Sequence, residues 1–429
     1  MAAPIGVVVD AYTTGNLLPA AFAAHGVRLV HVQARRRVST ALPGPDLSRF
    51  AENVVYDGPP ALARLRAHAP AFVIAGQDSG VALADRLSEE LGLPTNGTAL
   101  SAARWDKYAT GERLRERGLH CARQYKSADP ADLVRRCKEW SDGARLPVVV
   151  KPVSSAGTDG VRICRTDAEI ESAAAAVLAG PDVYGKPNTE VLVQSFLEGT
   201  EYIVDTVSRD GAHFVCGVWR YHKRLVAGRP VYERDVLLTP DEEPVPALLD
   251  YITQVLDALG IRHGSAHAEI IVTPQGPALV EIGARMNGNM NPGLHRLCLG
   301  HDQAALTALA YLRPADFATR RAGRVYTRLR PALICHTSTD RSGRVTRIDT
   351  EAVRRIEALP AVHAVAVKQG VGDRLRPTTD LLSSPLRVFM THPDPDVLEA
   401  DVRAVHALAE TVYETVDETA APTTSGLAP

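Results

Sequence analysis

Two glutamates, Glu269 and Glu281, lie in a stretch whose pattern predicts a β-hairpin. The run HAEIIV is rich in β-branched residues, Pro274-Gln275-Gly276 is typical of a turn, and PALVEIG is a second strand-like run. If the turn is symmetric about Gln275, the two glutamates lie directly opposite each other, with Cβ atoms roughly 5 Å apart on one face. Like charges repel, so the sequence predicts a cation between them, and carboxylate oxygens suit Mg2+ or Mn2+.

The hairpin is followed at once by groups that bind negative charge. Arg285 comes shortly after Glu281, and Asn287 and Asn289 lie in the Gly-rich loop behind it. A guanidinium and amides beside a metal site suit the charge that develops on a transferring phosphoryl group. The alternative interpretation is a surface hairpin with two solvated glutamates.

A second group of residues suits phosphate binding. The stretch LPVVVKP predicts a buried strand with Lys151 at its end, and the following SSAGTDG is a loop of small residues. A lysine at a strand end beside backbone N–H groups can cradle phosphate, by the logic of the Walker A loop although in a different pattern. The alternative is a flexible hairpin connection with a surface lysine.

A break in the strand pattern at Gln194–Leu197 offers a site for a base. The run EVLVQSFLEGTEYIVDTV is strand-like on either side of this break, and backbone groups released there can hydrogen-bond a purine edge. A plain strand–turn–strand is the alternative. Upstream, residues 102–121 predict a helix with Lys107 near its start.

Length and composition bound the elements that must position these residues. A chain of 429 residues is expected to form two or three domains, and 45% hydrophobic with 23% charged residues is typical of a soluble globular protein. The formal net charge of −2 argues neither for binding of nucleic acid nor for binding of an anionic membrane surface, and we expect neither partner. The six cysteines show no metal-ligand spacing, and neither a signal peptide nor a membrane span is evident, so we expect a cytoplasmic protein.

The first 100 residues predict a doubly wound α/β domain. Strands at 5–10 and in VRLVHVQ flank a helix closed by Gly26, and AFVIAG precedes a helix over 80–92. Since no GxGxxG is present, this domain is expected to contribute a cleft wall rather than a dinucleotide site. Asp10, Gln77 and Asp78 end strands, where ligands often bind.

Residues 101–315 and 316–415 predict two further domains. The first holds the motifs above and includes a lid subdomain over about 115–195. The second has strands in RVYTRLRPALICHT, AVHAVAVKQGVGD and LRVFMTHP and a helix in DPDVLEADVRAVHALAETVYETV, which describes a small α+β domain. Residues 416–429 have the composition of a disordered tail.

In order and spacing, these motifs resemble the ATP-grasp superfamily across roughly residues 1–415. The motifs are Lys107, the strand and loop from Lys151 to Gly160, the hinge from Gln194 to Glu201, and the set Glu269, Glu281 and Arg285. Within the superfamily, EIGARMNGNMNPG is most similar to carboxylate–amine ligases that join two L-amino acids, and more distantly similar to biotin carboxylase and formate-dependent purine enzymes. The resemblance implies an ATP-grasp fold with an N-terminal doubly wound α/β domain and a small C-terminal α+β domain.

The resemblance also implies a role for each motif. Glu269 and Glu281 would ligate Mg2+ or Mn2+, with two ions expected, and Arg285 would contact the γ-phosphate and the transferring group. The adenine would bind at the hinge and the ribose hydroxyls at Glu201. The implied ATP contacts are Lys107, Lys151, Ser154, Ser155, Gly157, Gly160, Gln194, Ser195, Phe196, Leu197, Glu201 and Asn289.

Two positions depart from the pattern of the family. Gly283 stands where many members carry an asparagine that helps to hold the second metal, so metal ligation would be lighter or would use the amide of Asn287 or Asn289. The hinge begins with Gln194 where an acidic residue is common, which would alter the adenine contact.

The implied mechanism is phosphorylation of a carboxylate by ATP, followed by attack of an amine on the acyl phosphate. A carboxylate is a poor electrophile, so activation is required. Catalysis would depend on Arg285, Lys151 and Glu233, with Glu233 as the candidate that holds the ammonium of the first amino acid. The other candidates for that pocket are His222, Asp235, Asn289 and His295, and a solvated or internally bonded side chain is the alternative for each.

Three functions follow from the resemblance. The first is an ADP-forming ligase that joins amino acids in specialised metabolism, either as a monomer or as a homodimer. The second keeps the same fold but uses bicarbonate or formate with a purine or biotin partner, and no biotinyl carrier segment is present in the sequence. The third is a nucleotide-binding regulator without turnover, against which the paired glutamates and Arg285 argue.

Overall fold

The computed structural model describes residues 4–35, 42–140, 146–155, 159–182, 185–226 and 229–416. The chain divides into two compact units, one formed by Met1–Arg220 with Leu238–Leu329 and the other by Tyr221–Leu237 with Arg330–Pro429. The domain boundaries expected at about residues 100 and 315 stay a prediction. Apart from its first residue, the tail expected over 416–429 lies outside the described residues.

A parallel sheet opens the first unit. Its elements are β1 (Ile5–Val9), α1 (Leu18–Ala23), β2 (Arg28–Gln33), β3 (Glu52–Val55), α2 (Pro59–Ala67), β4 (Val73–Ala75) and α3 (Val81–Glu90). The strands lie in the order β3-β2-β1-β4. Val7 and Val9 pack in one buried cluster and Val8 in another, so both faces of the sheet are covered, as parallel sheets require. The doubly wound α/β prediction is confirmed, although the sequence did not predict β3 and α2.

The helix predicted over 102–121 is shorter than expected. A 3₁₀ turn at Ala102–Arg104 precedes α4 (Lys107–Glu116). The helix begins here because the Asp106 side chain accepts a hydrogen bond from the Ala109 N–H, which makes Asp106 the N-cap. Beyond its end, Gly118 has a φ of 71°, the left-handed conformation that commonly terminates a helix. The cap therefore places Lys107 at the first position of the helix.

A small antiparallel sheet with two helices follows. Its elements are β5 (Gln124–Ser127), α5 (Pro130–Lys138), β6 (Val148–Pro152), β7 (Arg162–Cys164), α6 (Asp167–Leu178) and β8 (Val191–Ser195). The strands lie in the order β5-β8-β6-β7, and inward-facing residues such as Val148, Val150 and Val193 pack against both helices. This module spans most of the segment predicted as a lid, and it presents the end of β6 with Lys151.

The hairpin of the two glutamates lies in a second antiparallel sheet of the first unit. The next elements along the chain are β9 (Thr200–Arg209), β10 (Ala212–Val226), β11 (Arg229–Leu237), α7 (Val245–Ala258), β12 (Gly264–Thr273), β13 (Gly276–Gly283), α8 (Pro292–Leu299), α9 (Gln303–Leu312) and α10 (Pro314–Arg320). In the first unit the strand order is β13-β12-β9-β10, with β11 belonging to the second unit. The hairpin therefore pairs with β9, the strand that immediately follows the hinge.

The second unit is an α+β domain, as predicted. It adds β14 (Leu333–His336), β15 (Gly343–Ile348), α11 (Thr350–Glu357), β16 (Val362–Val367), β17 (Arg374–Leu375), β18 (Leu386–Met390), α12 (Pro395–Ala409) and β19 (Tyr413–Val416). The strand orders are β11-β14-β18-β16 and β17-β15-β19. The helix predicted to run to about residue 416 ends at Ala409, because the β-prone YETV pairs with β15 instead.

None of the helices in the described residues has the length and apolar character needed to span a membrane.

Candidate active site

Glu269 and Glu281 face each other across the hairpin, as the sequence predicts. The turn is not symmetric about Gln275, however, since Thr273 pairs with Gly276 and Ile270 pairs with Leu279. A β-bulge between these pairs and the glutamates leaves Val280 without a partner in the ladder, so that Glu281 rather than Val280 lies opposite Glu269. The bulge thus creates the facing carboxylate pair.

Two lysines lie next to this carboxylate pair. The Lys107 ammonium is 3.3 Å from Glu281 Oε2 and donates a hydrogen bond of 2.5 Å to the Ser155 carbonyl. Lys151, at the end of β6, is buried, with 4% of its surface exposed. Burial and the neighbouring Lys107 lower the pKa of Lys151 to about 8, although Glu281, Glu269 and Glu201 act in the opposite direction. These lysines and glutamates therefore form one electrostatic cluster.

The hinge lies slightly later in the chain than predicted. Gln194 is still inside β8, where its backbone pairs with Gln124 and Val149, and its side chain donates a hydrogen bond to Gln124 Oε1. Ser195, the last residue of β8, exchanges hydrogen bonds with the backbone of Arg123. The chain leaves the sheet only after Ser195, because the strand ladder satisfies the earlier backbone groups.

The residues between β8 and β9 carry the break itself. The Phe196 side chain is 39% exposed, Leu197 is half-buried, and Glu201 lies near the start of β9. Gly199 has a φ of 159°, and a Cβ there would lie 2.1 Å from the Val272 carbonyl oxygen. A larger residue at 199 cannot fit between β9 and the end of β12.

A cleft in the first unit collects several of the predicted ATP contacts. Four of these contacts line it, namely Lys107, Ser154, Ser155 and Gln194, together with the predicted metal ligand Glu281. Four other polar or aromatic residues of the lining were not predicted from the sequence, namely Ser79, Trp105, Asp182 and Lys186. Trp105 and Lys186 lie 6.0 Å apart as a cation–π pair. No pattern in the sequence connects these scattered positions.

The small-residue loop is described only in part. Gly157 lies outside the described residues. Ser155 donates a hydrogen bond to Asp159, and Gly160 has a φ of 65°, which suits glycine and not a larger residue. The predicted closing of this loop over phosphate stays a prediction.

A buried chain of polar groups leads to Glu269. Asp205 on β9 accepts hydrogen bonds from His267 Nδ1 and from the Asn287 amide, at 2.8 and 2.9 Å. His267 Nε2 is 3.7 Å from Glu269 Oε1. Burial favours the neutral imidazole, but the hydrogen bond to Asp205 and the nearby Glu269 carboxylate outweigh it and raise the pKa of His267 to about 9. The sequence contains both His267 and Asp205, but their contact depends on strand pairing.

The amides of the Gly-rich loop are largely engaged in shaping it. Asn287 uses its amide group to bind Asp205 and its side-chain oxygen to accept a hydrogen bond from the Asn289 N–H. Both residues are buried, at 3% and 7% exposure. The Asn287 side chain therefore already has a structural use. That use competes with the suggested role of Asn287 as a replacement for the missing metal-binding asparagine. The role of Asn289 in ATP binding stays a prediction.

The predicted substrate residues divide between the two units. Glu233 and Asp235 lie on β11 of the second unit, and Asp235 is fully buried against His336 at 3.0 Å. His295 is buried on α8 of the first unit, where its Nδ1 contacts the Asn291 carbonyl. These partners give Asp235 and His295 structural roles, while the role of Glu233 stays a prediction.

The donor set suits Mg2+ bound together with a nucleotide. Among the described residues, no third carboxylate, histidine or cysteine joins Glu269 and Glu281 to form an all-protein metal site. Mg2+ is usually held by one or two carboxylates plus substrate phosphates and water, rather than by a dedicated protein cage. The facing glutamates with two lysines beside them fit that pattern. Carboxylate oxygens alone suit Mg2+, whereas thiolates and imidazoles would favour softer metals.

Comparison with known proteins places the chain in a family. Residues 144–292 match the model of the ATP-grasp domain. The chain is 35% identical over 411 residues to dapdiamide A synthase of Enterobacter agglomerans, and this alignment covers 94% of this chain and 95% of that protein. It is 28% identical over 284 residues to D-alanine–D-alanine ligase of Gloeobacter violaceus, covering 63% and 83% of the two chains. The crystal structure of L-amino acid ligase from Bacillus licheniformis has the same fold, with a TM-score of 0.74 at 17% identity over 97% of this chain and 99% of that one. The chain therefore belongs to the ATP-grasp family.

Proposed function

We propose that this protein is an ADP-forming ligase that joins a carboxylate to the amine of an amino acid through an acyl phosphate. The observation that supports it most is the facing pair Glu269 and Glu281 with Lys107 at 3.3 Å from Glu281, since this arrangement suits a triphosphate with its metal. Near-complete coverage of a synthase at 35% identity supports the same reaction type. Amino acids as substrates agree with the name of the structural neighbour, an L-amino acid ligase.

In the proposed reaction, Glu269 and Glu281 would hold two Mg2+ ions, whose charge would neutralise the triphosphate and align the reacting groups. Lys107 and Lys151 bind phosphate oxygens, and Arg285 stabilises charge on the phosphoryl group as it passes to the substrate carboxylate. The amine then attacks the acyl carbon, and phosphate leaves. Each of these residues binds or orients a charged group, and none forms a covalent intermediate.

The proposal is tested by measuring phosphate release from MgATP with pairs of the standard amino acids, and separately with bicarbonate or formate. We expect release to require two amino acids, to yield ADP rather than AMP, and to give an amide product by mass spectrometry. Added hydroxylamine should trap the acyl phosphate as a hydroxamate when only the carboxylate substrate is present. AMP formation would contradict the acyl-phosphate route, and release with bicarbonate alone would favour the carboxylase alternative.

ATP affinity measured without divalent cations is expected to decrease as the pH rises above about 8. Lys151 has a pKa of about 8 because it is buried and near Lys107. A bound phosphate favours the charged ammonium and raises this pKa, so ATP binding takes up a proton above pH 8. The affinity should then fall by up to about tenfold per pH unit until the pKa of the complex is reached.

Calorimetric titrations between pH 7 and 9.5, in buffers of different ionisation enthalpy, measure both the affinity and the proton uptake. In Lys151→Met, the affinity at pH 7 should be lower and the proton uptake near pH 8 to 9 should disappear. An unchanged affinity of the wild-type protein across this range would show that Lys151 does not contact the phosphates.

A further inference from the structure

The carboxylate of Asp78 lies in the cleft but belongs to none of the predicted ATP or metal contacts. Asp78 lies shortly after β4, in the 3₁₀ turn Asp78–Gly80, and it lines the cleft together with Lys107 and Glu281. Its backbone N–H is bound by the side chain of Gln77 at 2.8 Å, which fixes the start of the turn. The Asp78 side chain is only 16% exposed.

Asp78 binds the guanidinium of Arg285 along one edge. Arg285 Nε and Nη2 both lie 2.9 Å from Asp78 Oδ2, while Nη1 donates to the Met286 carbonyl at 3.0 Å. A guanidinium is planar, so bonds to Nε and Nη2 fix the plane of the group and the direction of its far edge. Charge-assisted bonds of this kind are among the strongest that side chains form.

This contact depends on Gly283. A Cβ at residue 283 would lie 2.4 Å from Asp78 Oδ1 and 3.2 Å from Arg285 Nε, and the shorter distance is one that real Cβ atoms do not adopt. The backbone does not demand glycine here, since Gly283 is the last residue of β13 and its φ is outside the left-handed region. Space for the Asp78 carboxylate is therefore the reason for glycine.

The Asp78 carboxylate reaches the face of the hairpin that carries the metal-binding pair. Gly283 pairs with His267, two residues along the same strands from the pair of Glu281 and Glu269. Positions two apart on a strand project from the same face. By standard bond lengths, the amide oxygen of an asparagine side chain lies about 2.4 Å from its Cβ. Asp78 Oδ1 lies at this same distance from the Cβ position of residue 283.

We propose that Asp78 is a positioning residue that orients Arg285 toward the transferring phosphoryl group, in the space that Gly283 leaves open. The inference rests on the proposed function, in which Arg285 contacts that group. A preorganised cation stabilises developing charge because no reorientation is needed during the reaction. Asp78 acts through Arg285 and does not itself contact the nucleotide.

The test compares binding of a γ-phosphate analogue in single and double variants. The affinities of MgADP and of Mg-AMP-PNP are measured for the wild type, Asp78→Ala, Arg285→Ala and the double variant, which requires no knowledge of the amino acid substrates. We expect Asp78→Ala to weaken AMP-PNP binding about tenfold and to leave ADP binding unchanged. In the Arg285→Ala background, Asp78→Ala should have no further effect on either nucleotide.

Turnover and stability complete the test. With an active amino acid pair, Asp78→Asn should lower kcat by roughly 10- to 100-fold with little change in the KM for ATP, while Asp316→Asn, in an exposed pair with Arg313, should not change either value. Gly283→Ala should lower the melting temperature in the wild type but not in Asp78→Ala, where the clashing carboxylate is gone.

Three outcomes would overturn the proposal. If Asp78→Asn raised kcat, the pair would be a restraint on Arg285 rather than a support. If the losses from Asp78→Ala and Arg285→Ala were additive in AMP-PNP binding, Asp78 would act independently of Arg285. If ADP binding fell as much as AMP-PNP binding, the effect would be a general disturbance of the cleft. Absence of ligase turnover in the wild type would instead contradict the proposed function and leave the nucleotide-binding result to decide the role of Asp78.

Discussion

Replacing Glu281 with glutamine is expected to lower ATP-dependent phosphate release by about a thousandfold. The change removes one of the two carboxylates that face each other across the hairpin, so the proposed metal site keeps a single charged ligand. Glutamine has nearly the same shape as glutamate, and the hairpin and its bulge should therefore persist. The loss should appear in catalysis and not in folding.

The same substitution also disturbs the lysines. Lys107 loses a carboxylate 3.3 Å from its ammonium group. Of the three glutamates that raise the pKa of Lys151, Glu281 has the largest effect. Without it, the pKa of Lys151 should fall below about 8, so a smaller fraction of this side chain will be charged at neutral pH. In the proposed function Glu281 would thus support both the metal and the two lysines that bind phosphate, which is why a large effect is expected.

Phosphate release at saturating MgATP measures the effect, and Mn2+ affinity measured by electron paramagnetic resonance gives a readout independent of turnover. Glu116→Gln is a matched control, because Glu116 ends α4 with a side chain that is 64% exposed and paired only with Arg113 among the described contacts. The control should keep full activity. Wild-type Mn2+ affinity in Glu281→Gln would exclude Glu281 as a metal ligand.

Replacing Arg104 with methionine is expected to destabilise the protein by about 3 to 5 kcal/mol. Arg104 is fully buried, with 0% exposure, and pairs with Asp85 at 3.2 Å. Its guanidinium also donates hydrogen bonds to the carbonyls of Asn96, Gly97 and Leu259. Methionine fills a similar volume but leaves the carbonyls without this donor and the Asp85 carboxylate without its cation.

The pH dependence of this defect follows from Asp85. Burial raises the pKa of Asp85, while Arg104 lowers it, so the substitution should raise that pKa further. A carboxyl group whose folded pKa lies above its unfolded value destabilises the folded protein at high pH, and the stability recovers as the pH falls through the folded pKa. The defect of Arg104→Met should therefore be larger at pH 8 than at pH 5.

Urea unfolding at both pH values gives the free energy of unfolding. Arg64→Met is the matched control, because the Arg64 side chain is 61% exposed and its pair with Glu52 is a surface pair, which contributes about 0 to 1 kcal/mol. A loss in Arg104→Met no larger than in the control would show that the buried ion pair contributes little beyond the volume of its side chains.

The parts that the sequence predicted well depend on local patterns. The hairpin follows from two β-rich runs around a turn, and the end of β6 from a buried run that reaches Lys151. The start of α4 is a local signal as well, since Asp106 caps the helix, although the helix predicted from the sequence began earlier, at residue 102. In each case the deciding residues lie within a few positions of one another.

The parts that the sequence did not reveal depend on long-range contacts. Asp78 and Arg285 meet across 207 positions, and His267 meets Asp205 across 62. Gly283 could be noted as a departure from the family, but its physical reason is visible only once Asp78 is placed beside it. The strand β3 was missed because its four residues alternate too briefly to distinguish a strand from a loop.

The bulge at Val280 has a consequence for comparing sequences. In an unbroken antiparallel hairpin closed by two turn residues, the residue numbers of facing residues differ by an odd number. The numbers of Glu269 and Glu281 differ by an even number, because Val280 is left out of the ladder. The parity of the spacing between the two acidic residues therefore reports whether a related chain carries the bulge. An alignment that places a one-residue gap in the turn instead of the strand would pair the wrong residue with the first glutamate.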